Sequence, residues 1–208
     1  GNWSNPVTWS GITGGVVPTS GTDVTLPPGY MVMVDIENAV CNKLTVANSN
    51  SLVFKSGGIL TCNSTFTGGG GSTVTFQGDG RLNLVSGGVI SGALNFNGTG
   101  TGTTAYISLD VSTVSVSGTL GVAVSSITIV ISGSGSITNY GIINLTALTN
   151  NSSINIEPAL TNTGRLNITA IDPAAGNPVK PDSVTTARRV KVNSITTNNG
   201  WLSIVNAE

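Results

Sequence analysis

Histidine is absent from this 208-residue chain. That removes the commonest general base, the usual zinc ligand and any Ser-His-Asp triad. Charge is scarce as well: 8% of residues are charged, against roughly 25% in an average domain. The net charge of −1 leaves no basic field for phosphates, so nucleic-acid binding is not expected. The one basic cluster, Arg188, Arg189 and Lys191, reads as a solvated strand or loop face. No apolar run reaches the roughly 20 residues of a spanning helix, so no membrane span is expected.

Carboxylates are equally thin. The nine are Asp23, Asp35, Glu37, Asp79, Asp110, Glu157, Asp172, Asp182 and Glu208. Glycoside cleavage needs a facing pair, and only Asp35 and Glu37 are close in sequence. In a strand their spacing puts them on one face, as solvated edge charges or a cap salt bridge. The expectation is a non-catalytic chain with no cofactor and no metal site.

What the chain does contain is Gly, Ser, Thr and Asn between short apolar runs; 28 residues are Gly and 38% are hydrophobic. That apolar content supports a packed core and argues against disorder. No 3.6-residue apolar period persists, whereas alternating runs recur from Val24–Leu26 through Met31–Val34, Leu52–Phe54 and Ala105–Leu109 to Leu202–Val205. Hairpin dipeptides are sparse, with Asp79-Gly80 and Asn97-Gly98 standing out. Phrases also echo one another, as Lys55–Ile59 and Val85–Val89 do, and the interval from Cys41 to Cys62 equals that from Leu145 to Leu166. A period near 20 fits three-strand coils stacking about 4.8 Å apart. The fold expected is all-β, a right-handed parallel β-helix (β-solenoid) with an N-terminal cap; a β-sandwich is the alternative. Residues 1–40 are expected as the cap, 41–172 as coils, and 173–208, with Pro173, Pro178 and Pro181, as a loop and terminal strands in the same domain or at a junction to another.

A coil of that length puts Cys41 and Cys62 at equivalent positions on neighbouring coils, about 5 Å apart at Cα. A disulfide and a pair of buried reduced thiols both satisfy that placement. Trp3, Trp9 and Trp201 are candidates for stacking on sugar rings, with aromatic packing in the end cap as the other reading of Trp3 and Trp9. Tyr106 and Tyr140 are isolated in sequence. Thr73/Thr75 and Thr101/Thr103 form Thr-x-Thr pairs of a kind that could face ice in ranks, but the spacing does not repeat coil after coil. Sequons at Asn2, Asn63, Asn97, Asn144, Asn150, Asn151 and Asn167 arise by chance in such a composition.

The N-terminal segment carries a further signal. Trp3-Ser4-Asn5-Pro6-Val7-Thr8-Trp9 is followed by Val17-Pro18-Thr19-Ser20-Gly21-Thr22-Asp23-Val24-Thr25-Leu26, and then by Pro28-Gly29-Tyr30 leading into a strand that ends at Asp35. Over residues 3–70 this resembles the opening of G8-type domains and of repeats in large Bacteroidetes surface proteins. It departs from them where Thr22 separates Gly21 from Asp23, where Leu26 stands for the usual Ile, and at the inserted Ile12-Thr13. Asp182-Ser183-Val184 resembles the short O-glycosylation motif of such proteins. The resemblance implies an extracellular, β-helical, non-catalytic module, often beside carbohydrate-related domains. The function expected is therefore a secreted or cell-surface adhesion module whose partners are glycans or other surface proteins. A carbohydrate-binding module of a polysaccharide-processing protein is the alternative, and a lyase or hydrolase stands behind both.

Overall fold

The computed structural model describes residues 1–46, 49–100, 103–110, 112–149, 151–170 and 189–205. Thr101, Asn150, Asp172, Pro173, Pro178, Pro181, the Asp182–Val184 motif, Arg188 and Glu208 lie outside them. The described residues form 23 strands and one 3-10 turn, Pro6–Trp9.

The strands fall into three parallel sheets visited in strict rotation. The first sheet opens with Asp23–Thr25, the second with Met31–Val34 and the third with Ala39–Cys41; every third strand thereafter returns to the same sheet. The result is a three-sided parallel β-solenoid of seven full coils and two strands of an eighth. The first coil begins at Asp23, inside the stretch expected as cap. At the far end Arg189–Val192, Ile195–Asn198 and Trp201–Val205 stack on the same three sheets.

The repeat varies in length around and above the expected period near 20. On the second sheet Met31 pairs with Ser51, and Ser51 with Thr73. Ala93 then pairs with Thr119, a longer step than either, and Thr119 with Ile142. The step from Arg165 to Trp201 exceeds all of these. Two sequence echoes dissolve as a result. Leu145 stacks on Ile168, not on Leu166. Ile59 begins a third-sheet strand, whereas Val89 lies in a first-sheet strand.

The core follows from two-residue alternation, since every second side chain of each strand points into the coil. One inward column of the second sheet runs Val32, Leu52, Val74, Phe96, Val122, Leu145, Ile168 and Ile204. Beside it Phe54 stacks on Phe76 with ring centroids 4.7 Å apart. On the first sheet an inward column changes character along the rod. It reads Val46, Gly68, Ile90 and Val116, then Asn139, Asn162 and Asn198. Asn139 Nδ2 donates to Asn162 Oδ1 at 2.7 Å, and Asn162 Nδ2 donates to Asn198 Oδ1 at 2.8 Å. Buried amides are tolerated here because each finds a partner on the next coil.

The two ends differ. At the N-terminal end Trp3 and Trp9 are fully buried in a T-shaped pair, and Trp9 Nε1 donates to Trp3 O at 2.7 Å. Gly1–Trp3 adds to the second sheet along Met33, with Trp3 N donating to Met33 O. At the other end Ile195, Leu202 and Ile204 occupy inward columns yet are 37%, 38% and 55% exposed.

Asp35 ties the N-terminal arm to the first coil. It lies just after Met31–Val34, in no strand, so it does not share a strand face with Glu37. Ser4 donates to it from N (3.0 Å) and from Oγ (2.6 Å). Burial opposes its charge, but the Ser4 bonds outweigh that and hold the carboxyl below its ordinary value of 3.8. A depressed carboxylate stabilises the fold above its unfolded value, and the contribution is lost as pH falls through the folded one. With solvent screening the tie is worth less than about 1 kcal/mol. Acidification through the folded value should therefore lower the urea midpoint followed by tryptophan emission by an amount worth less than about 1 kcal/mol. Asp35→Ala should show that lowered midpoint at neutral pH.

Candidate functional site

Rigid stacking turns outward positions into columns, so each sheet face is a ruled surface whose side chains stand about 4.8 Å apart along the rod. The first sheet presents Thr25, Thr45, Thr67, Val89, Ser115, Thr138 and Thr161 in one column. Thr73 and Thr75 lie instead on the second sheet, whose columns mix Ser51, Thr73, Asn95, Gly121, Asn144 and Asn167. Neighbours within these columns bond to one another: Ser51 and Thr73 hydroxyls are 3.0 Å apart, and Asn167 Nδ2 donates to Asn144 Oδ1 at 2.8 Å. The hydroxyl column of the first sheet escapes a sequence reading because its steps are unequal, that from Val89 to Ser115 being longer than that from Thr25 to Thr45.

Aromatics concentrate at one edge of the second sheet. Trp201 is 66% exposed and ends an outward column that runs Thr119, Ile142, Arg165 and Trp201. Tyr140, 64% exposed, sits on the corner that feeds this sheet, two coils before Trp201. The two rings are thus about 10 Å apart along the rod, with exposed Arg165 on the coil between them. The corner can carry them because it is built of glycine: Gly118, Gly141, Gly164 and Gly200 stack with no side chain between backbones. Each coil donates across it, as Ile142 N does to Gly118 O at 2.9 Å and Trp201 N to Gly164 O at 2.8 Å. Exposed rings on either side of a guanidinium suit a sugar's apolar face and its hydroxyls.

The remaining candidates divide clearly. Trp3 and Trp9 present no face to a ligand, because both are consumed by the end cap. Of the three tryptophans, Trp201 alone is available for stacking. Tyr106 lies under the Arg81 guanidinium, 4.7 Å from its ring centroid. Lys191 is exposed on the third sheet. Asp23 is paired with Lys43 at 3.5 Å. Asp79 accepts from Gly57 N at 3.0 Å and from Ser56 Oγ, so it serves the turn of the preceding coil. Those bonds, the Ser56 hydroxyl first, hold its carboxyl below the ordinary range. Among the described residues no three His, Cys, Asp or Glu side chains converge as a metal ion requires, and no helix is long and apolar enough to cross a membrane. An apolar void of about 20 Å³ within the coils is lined by Phe66, Ile90, Phe96, Leu109 and Ile137 among others, with no polar group to orient a ligand.

A scan against protein-family models, a search of curated proteins and a search of solved structures each found no match.

Proposed function

We propose that this chain is a non-catalytic surface module of a secreted or cell-surface protein, which presents its β-solenoid faces for adhesion. The observation that carries this reading is the set of outward columns, where uncharged hydroxyls and amides repeat at fixed spacing on a rigid scaffold. Such a surface offers many weak, regularly spaced polar contacts and little long-range charge, which suits adhesion by avidity. The G8-like opening over residues 3–70 points the same way. Release of oligosaccharides from a polysaccharide panel by the purified chain would overturn the non-catalytic reading.

A second reading rests on the Tyr140–Arg165–Trp201 edge: the module binds glycans there. Both rings are exposed, both flank one cation, and neither packs in the core. A glycan array screened with the intact chain should return binders, and Trp201→Ala should weaken them by about 5- to 30-fold, since stacking plus hydrogen bonding is worth about 1–2 kcal/mol per ring. Tyr140→Ala should act in the same direction. Binding that survives both substitutions unchanged sinks the glycan reading of this edge and leaves the adhesive reading standing.

A further inference from the structure

Cys41 and Cys62 are direct register partners on adjacent parallel strands, Ala39–Cys41 and Ile59–Cys62, and both are fully buried. Adjacent parallel strands hold such partners about 4.8 Å apart, inside the roughly 4.4–6.8 Å Cα range that a disulfide spans. Each thiol is the last residue of its strand, where the backbone leaves the sheet and has freedom to adjust. From this register we infer that Cys41 and Cys62 are a disulfide site, which staples the first coil to the second when the chain meets a low-molecular-weight disulfide such as oxidised glutathione.

Either thiol, deprotonated in the incompletely folded chain, attacks one sulfur of the oxidant, forming a mixed disulfide and expelling a glutathione thiolate. The other cysteine, deprotonated in turn, attacks the protein sulfur of that mixed disulfide and expels the second glutathione thiolate. The two cysteine protons pass to the two leaving thiolates, and one oxidised glutathione becomes two reduced ones. Because both sulfurs are buried, the exchange belongs to folding, before the second coil closes over the first. The bond secures the coil against which the Trp3/Trp9 cap is packed.

The test counts thiols. The full chain is unfolded, refolded with either oxidised glutathione or a reductant, then denatured and alkylated for intact-mass measurement. No alkyl groups are expected on the oxidised sample and two on the reduced one. The oxidised form should melt roughly 5–10 °C higher, and a Cys41→Ala/Cys62→Ala variant should melt independently of reductant. The same count on protein exported to an oxidising compartment, and never unfolded in vitro, removes any dependence on refolding yield. Two alkyl groups after oxidative refolding, or a persistent glutathione adduct on one cysteine, overturns the proposal.

Discussion

Gly141→Ala should lower stability by about 3 kcal/mol or more, the upper end of what overpacking costs, although it adds a single methyl group. A Cβ at Gly141 would stand 2.1 Å from Gly118 O and 2.7 Å from Ser117 C. Both neighbours are backbone, so no side chain can swing aside. Gly118 O is moreover the acceptor for Ile142 N at 2.9 Å, and moving it breaks the first hydrogen bond of the next strand pair. Gly118, Gly164 and Gly200 meet the coil before them in the same way, at 2.3, 2.1 and 2.0 Å. Gly21 is the control. Nothing lies within 4 Å of a Cβ there, and Gly21→Ala should stay within about 0.5 kcal/mol of the parent. Gly14 lies between the two, with open space but φ of +72°, so alanine there is penalised by backbone conformation alone, about 1 kcal/mol. Urea melts followed by far-UV circular dichroism rank the three. Equal effects at Gly141 and Gly21 would show that the corner has room to spread. In a stack where each coil touches only its neighbours, the Gly141 variant should also lose two-state behaviour, because its defect uncouples the coils on either side.

The glycine corner marks where sequence reading reached and where it stopped. Runs with two or more inward apolar residues, such as Leu52–Phe54 or Ala105–Leu109, announce themselves by alternation, and the structure has strands at each. The strands that escape include Phe66–Gly68, Gly88–Ile90, Ser136–Asn139, Ala159–Asn162 and Ile195–Asn198 on the first sheet, and Ala39–Cys41 and Ile59–Cys62 on the third. On the first sheet the inward pairs Phe66/Gly68, Gly88/Ile90, Ile137/Asn139 and Leu160/Asn162 each hold one large apolar residue, and on the third Ala39/Cys41 and Leu60/Cys62 mix small or sulfur-bearing side chains into the run. Thr119–Ser125 hides for a related reason, since its outward positions are Gly121 and Ala123. Missing strands and unequal steps blur the period, so the coil class is legible while the register beyond the second coil is not. Cys41 and Cys62 were the exception because two rare residues on consecutive coils give their spacing unaided. The Tyr140–Trp201 edge was illegible in principle: the two rings are remote in sequence and become neighbours only once the long step from Arg165 brings Trp201 back onto it.

Asn162 tests the other hidden column, where amides replace the Val46, Ile90 and Val116 of earlier coils. Its Oδ1 accepts from Asn139, and its Nδ2 donates to Asn198 Oδ1 and to Trp201 O at 3.3 Å. Asn162→Val should lose about 1–2 kcal/mol, because three hydrogen bonds between coils disappear, while Asn139 Nδ2 keeps Arg165 O and the exposed Asn198 can turn to water. Asn162→Asp should be worse at neutral pH, since a carboxylate cannot donate and would face Asn198 Oδ1 and Trp201 O, and it should recover as acid protonates it. The column itself accepts branched apolar side chains, as Val116 shows one coil before Asn139. Replacing Asn139 together with Asn162 by valine removes both members of the 2.7 Å pair, so the double variant should be less destabilised than the sum of the two single changes. A double-mutant cycle in urea reads the difference, and about 1 kcal/mol of favourable coupling is expected. Strict additivity would mean that each amide is held by its own coil, through contacts such as Gly141 N to Asn139 Oδ1 at 3.1 Å. A positive coupling instead makes the ladder a clamp between coils, placed in the three that carry Tyr140, Arg165 and Trp201, so that loosening Asn162 should also weaken whatever those three hold.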